Sequence, residues 1–228
     1  MCFSKEASYV SGTLLTTLGL YTVLTAKQKK ILPAALIPLF FGIQQLSEGN
    51  IWASFDENLS PIKLQFFNSI AATPGFFAAL FLFFAFIIWP VWIPLSTYLP
   101  EKQPTRKTLL GALLLAGIAT AALAVLSLKD NSITLQVIQK SIQYTPEKPL
   151  IMPLNLFILL YGATVILPSL ISSIRGFSLF GVFSLAALII SFYLYYNTFT
   201  SVWCFFSAWL SIIIAMVVRA QGHLAERR

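Results

Sequence analysis

Charge is what this sequence has least of: 10% of its 228 residues are Asp, Glu, Lys or Arg, where a soluble domain carries roughly a quarter. With 57% hydrophobic residues, too few polar groups remain to cover a surface facing water, and the apolar patches left bare would drive aggregation. A bilayer removes that conflict. One histidine, His223, and two cysteines, Cys2 and Cys204, are too few for a disulfide framework, for a zinc site of three or four ligands, or for a haem held by axial histidines. The glycines form no phosphate-cradling motif, and no Ser, His and Asp set stands at one depth for acyl transfer. No cofactor is expected. The net charge of +7 lies in short clusters between apolar runs rather than in a continuous stripe, so the counter-charge is expected from anionic membrane lipids and not from nucleic acid.

What is there is a series of long apolar runs. A helix needs about 20 predominantly apolar residues to cross the hydrocarbon core, and seven stretches qualify, at about 7–26, 31–55, 64–95, 108–128, 150–174, 177–196 and 200–218. The expected fold is therefore all-α, a single transmembrane bundle of about seven helices over 1–228. Lys5 is balanced by Glu6 and no small-residue cleavage pattern follows, so the first helix is expected to be retained rather than removed as a signal peptide. The third stretch is too long for one perpendicular crossing; Pro90 and Pro94 predict a kink there, with Trp89 and Trp92 at headgroup level. The loop 129–149 alternates in part, with Ile133, Leu135 and Val137 opposite Thr134 and Gln136, which predicts a small β-hairpin outside the membrane. Two strands without a third are marginal.

Orientation follows from counting Lys and Arg on each side. The alternate loops and the C-terminal tail hold ten: Lys27, Lys29, Lys30, Lys102, Arg106, Lys107, Arg175, Arg219, Arg227 and Arg228. Lys5, Lys63, Lys129, Lys140 and Lys148 fall on the other side. The richer side is expected in the cytoplasm, giving N-out and C-in. In the first stretch Ser8, Gly12, Thr16 and Gly19 recur at helical spacing, which lets a neighbouring backbone approach closely.

Within the seven stretches there is no Lys, Arg, His or Asp, and one carboxylate, Glu48. A charge at the bilayer centre costs about 3 kcal/mol on insertion scales, so such a residue turns to the bundle interior or a wet cavity. Gln44, Gln45, Glu48 and Trp52 share one helix face, and two amides and an indole N–H can all hydrogen-bond a carboxyl group. At 1.5 Å per residue, Glu48 lies about 10 Å inside the outer end of its helix. Asn68, Asn155, Tyr195 and Cys204 are expected at a similar level, with Cys2 on the same side. Cys204 reads as a small buried hydrophobe, although a bond to Cys2 is geometrically open. A satisfied hydrogen-bond network that fixes helix register accounts for these residues as well as a ligand or proton site does.

Met1 to Ser4, the stretch from Phe40 through Gln44, Gln45, Glu48, Gly49 and Trp52, the run from Phe83 to Leu95, and Ser201 to Phe206 together resemble an uncharacterised bacterial family of small multi-span membrane proteins. It begins Met-Cys-Phe-Ser and carries a Gln-Gln-x-x-Glu-Gly-x-x-Trp motif. The resemblance implies an integral protein of the bacterial cytoplasmic membrane and assigns no activity. Three roles stay open: binding or transport of a small ligand or proton at a polar cavity near the outer leaflet, an intramembrane enzyme acting on a lipid or lipid-linked substrate with Glu48 as acid or base and Cys2 or Cys204 as nucleophile, and an accessory subunit of a membrane complex.

Overall fold

The computed structural model describes residues 4–55, 61–65, 74–129 and 131–226. Among them, seven helices form one bundle: α1 (Lys5–Thr25), α2 (Leu32–Phe55), α3 (Pro74–Tyr98), α4 (Pro104–Leu128), α5 (Leu154–Ile171), α6 (Arg175–Leu194) and α7 (Phe199–Glu226). Five of them, α2, α3, α4, α6 and α7, are long and apolar enough to cross a membrane. Their outward side chains are apolar too, as Leu115 and Met216 show at 69% and 60% exposure. Such an exterior suits lipid and not water.

Helix α1 starts where Ser4 Oγ accepts from Ala7 N, 3.2 Å away, filling one of the donors left open at a helix start. It lies against α2 at very short range. A β-carbon placed on Gly19 would stand 2.3 Å from the backbone nitrogen of Leu39, and one on Gly42 would stand 2.5 Å from that of Thr16. The small-residue stripe of α1 thus meets a small residue of α2 in return.

Helix α3 is irregular for a reason visible in its prolines. Its middle, Phe84–Ile88, is a π-helical segment in which Trp89 N donates to Phe84 O. In that register the next carbonyl, Ala85 O, would face Pro90, which has no N–H to give. The Tyr161 hydroxyl of α5 donates to Ala85 O instead. One turn on, Pro94 likewise offers no N–H to Pro90 O. That carbonyl projects at α4, where a β-carbon on Gly117 would lie only 1.8 Å from it. Gly117 is a position that no other residue could occupy without moving a backbone.

The structure departs from expectation at two places in this region. The apolar run 64–95 is not helical from its start: Ile62–Gln65 is a strand, β1, and the described helix runs from Pro74. Strand β1 pairs antiparallel with β2 (Ser132–Ile138), which pairs with β3 (Ser141–Pro146), so the expected hairpin gains the third strand it needs. Ile133, Leu135 and Ile142 are buried beneath the sheet. Gln139 and Lys140 make the two-residue turn with φ of 49° and 58°, the left-handed pair that a tight hairpin requires. Lys63 Nζ and Glu147 Oε1, 2.6 Å apart, join β1 to the end of β3. The second departure is Trp89. Rather than facing outward, it is 2% exposed and stacks on Phe41 at 3.9 Å, because this face of the helix turns inward.

At the end of the bundle away from the sheet, Glu101 holds two loops together. Its Oε1 accepts from Lys102 N, Gln103 N and Ser173 Oγ at 2.8–3.0 Å, and its Oε2 from Ser173 N at 2.8 Å. Burial alone would raise its pKa, but the donors of Ser173, Gln103 and Lys102 outweigh burial and hold it below the ordinary value of 4.5. A depressed carboxylate stabilises the fold above its unfolded pKa and loses that contribution as pH falls through the folded one. Glu101→Gln is therefore expected to lower stability by about 1–3 kcal/mol at pH 7, with the difference from the parent shrinking below about pH 4.5. Thermal unfolding in detergent at stepped pH measures this; a difference that stays constant down to pH 3 contradicts it.

Candidate functional site

Helix α2 supplies the centre of the site. Gln44, Gln45 and Glu48 are each 0% exposed and Trp52 is 8% exposed, with Gln44 reaching α3 and α7 and Glu48 reaching α7. Their shared face is polar within an otherwise apolar helix, so its groups must be satisfied by protein. The Glu48 carboxyl is. Its Oε1 accepts from Ser201 Oγ at the start of α7, and its Oε2 accepts from Gln45 Nε2 at 3.4 Å.

Gln44 is the second node. Its Oε1 accepts from Trp89 Nε1 at 2.9 Å, and its Nε2 donates to Phe81 O at 3.3 Å and to Cys204 Sγ at 3.5 Å. One amide thereby bonds α3 twice and α7 once. Cys204 is a buried free thiol. Gln45 Oε1 and Trp52 Nε1 are buried without a hydrogen-bond partner among the described residues.

Beside this network, on the far side of Cys204, is a cavity of about 760 Å³. It lies at the sheet end of the bundle, bordered by α3, α4, α5, α6, the first turns of α7 and strand β3. Its deep wall includes Leu82, Ala124, Phe157, Tyr161, Trp203 and Cys204, every one buried. Its rim includes Thr145, Glu147, Lys148 and Asn197, all exposed.

Of the residues read from the sequence, Gln44, Gln45, Glu48 and Cys204 come together, and Trp52 lies on the same buried face. Cys2 and Asn68 lie outside the described residues. Asn155 is exposed on the first turn of α5, and Tyr195 packs half-buried against Val202 and Phe205 at the end of α6. A common depth sets the level along the bundle axis but not the direction a side chain takes around its helix. The expected polar cavity also needs correction. Gln44, Gln45 and Glu48 are fully buried and do not line it, and among the expected residues that the structure describes Cys204 alone borders this cavity.

Compared with known families, the whole chain, residues 1–228, matches the model of one described as a family of unknown function (DUF6629). The chain belongs to that family. No curated protein and no solved structure matches it. The site of this DUF6629 member therefore rests on its own chemistry, and three of its parts carried no signal of their own in the sequence. Ser201, Trp89 and Tyr161 are ordinary constituents of apolar helices until a carboxyl, an amide and an orphaned carbonyl are placed opposite them. Among the described residues no group of three or more His, Cys, Asp or Glu side chains comes together to hold a metal.

The Glu48–Ser201 pair is expected to act as a unit. Ser201→Ala leaves a buried carboxyl oxygen unpaired and should cost about 1–3 kcal/mol. Because Glu48→Leu removes the orphaned group, the double variant should be less destabilised than the sum of the two single ones. Unfolding of the four proteins in one detergent measures the coupling; strict additivity would show that the two side chains do not meet.

Proposed function

We propose that the chain is a multi-pass protein of the bacterial cytoplasmic membrane whose seven helices all cross the bilayer, N-out and C-in, and that it binds a hydrophobic small molecule in the cavity at the sheet end. The cavity carries this reading. Its volume of about 760 Å³ falls within the roughly 300–1,000 Å³ of small-molecule sites, and like them it is mostly apolar with a few polar groups at one end. The basic loops and tail support the orientation: the excess of Lys and Arg favours the cytoplasm for the end of the bundle opposite the sheet.

Binding is favoured over lipid chemistry by the position of Glu48. A general acid or base must come within hydrogen-bond reach of the reacting group, and this carboxyl is shut behind α7, engaged with Ser201 and Gln45. Its role here is to seat the first turns of α7, from which Trp203 and Cys204 form part of the cavity wall.

The test fills the space. Native mass spectrometry of the protein released from mild detergent is expected to show a retained small molecule of defined mass. Ala124→Trp, which places an indole in the deep wall, should remove the adduct while the protein stays folded. Ile158→Trp, at a half-buried wall position, serves if the first variant does not fold. A parent protein with no adduct, or variants that retain it fully, overturns the reading.

A further inference from the structure

We infer that the occupant of this cavity is a single-chain amphiphile, held with its chain end against Trp203 and Cys204 and its headgroup at the rim beside Thr145 and Asn197. The inference rests on the binding reading above and adds the class and direction of the ligand. The cavity changes chemistry along its length. Deep in, Leu82, Tyr161, Trp203 and Cys204 are 1%, 7%, 4% and 5% exposed, and their open faces are apolar or aromatic, the Tyr161 hydroxyl being engaged with Ala85 O. Toward the outside, Thr145, Glu147, Lys148 and Asn197 bring hydroxyl, carboxylate, ammonium and amide groups to the edge. A pure hydrocarbon would leave that rim unused, and a polar solute would strip its water against the floor without compensation.

The rim also stands where a headgroup belongs. Tyr193 and Tyr196, 79% and 56% exposed, flank the end of α6, and exposed tyrosines collect at the membrane interface. Ile151 and Tyr196 carry the rim to the outer surface of the helices at 60% and 56% exposure, so the opening is in part toward lipid. An amphiphile can then enter from the bilayer without its chain crossing water. Size sets the number of chains. Taking a methylene as about the size of a water molecule, roughly 30 Å³, the volume of about 760 Å³ holds on the order of 25 such groups. That suits one long chain with a compact head and is less than the two chains of a phospholipid would fill.

Two photoreactive fatty-acid probes test this on the full chain in lipid nanodiscs, one with a diazirine at the terminal carbon and one with it beside the carboxyl. The terminal probe is expected to label α7 at Trp203 or Cys204, and the other to label the segment 143–149 or 196–200. Unlabelled fatty acid or monoacylglycerol should compete both, and Ala124→Trp and Cys204→Trp should reduce terminal labelling at least tenfold. Labelling of the same residues by both probes overturns the direction. Competition by squalene or by a two-chain phospholipid, but not by single-chain amphiphiles, overturns the class while leaving a hydrophobic site in place. Labelling that neither tryptophan variant reduces overturns the cavity as a binding site altogether.

Discussion

A carboxyl group inside an apolar bundle has to be satisfied by protein, and the partner that Glu48 takes governs how three helices stand together. Its bond with Ser201 joins α2 to the first turn of α7. One turn earlier, Gln44 uses both ends of its amide to hold α3 through Trp89 and Phe81, and reaches α7 again at Cys204. Apolar contacts alone are poor at fixing register between helices in lipid, because a leucine packs nearly as well against an acyl chain as against another leucine. Directional bonds from a buried acid and a buried amide discriminate where apolar packing does not.

The same logic runs through the irregular middle of α3. Pro90 and Pro94 withdraw two backbone donors from a helix that has no water to replace them. One of the carbonyls that result is met from a neighbouring helix, Ala85 O by the Tyr161 hydroxyl, while Pro90 O projects against the bare face of Gly117, which gives it room rather than a donor. Tyr161 is also part of the deep wall of the cavity, as are Trp203 and Cys204, which follow Ser201 on α7. The residues that repair the backbone and seat α7 therefore also shape the open space at the sheet end. Structural polar groups and the cavity wall are back to back rather than one and the same.

Much of the helical framework was legible, because apolar runs of membrane length are hard to read in any other way. The shared face of Gln44, Gln45 and Glu48 followed from helical spacing, and the level of Cys204 from depth. Depth does not direct a side chain inward, as exposed Asn155 shows, since it carries no information on azimuth. Strand β1 was hidden inside the run 64–95, where apolar residues alone do not distinguish a strand from a helix start; its partner β2, with cleaner alternation, was visible. Trp89 was read as an interfacial residue from its neighbouring prolines, when those prolines instead turn it inward to meet Gln44. The cavity itself had no signature, being bounded by residues from Leu82 to Cys204 that only the folded bundle brings together.

The most direct check on this account is a density map of the protein in lipid nanodiscs that resolves the Glu48 side chain. The account predicts the carboxyl between Gln45 and Ser201, with α7 packed against it and elongated density reaching inward from the rim toward Cys204. A Glu48 side chain directed at lipid, or one separated from Ser201 by the width of a helix, would contradict it.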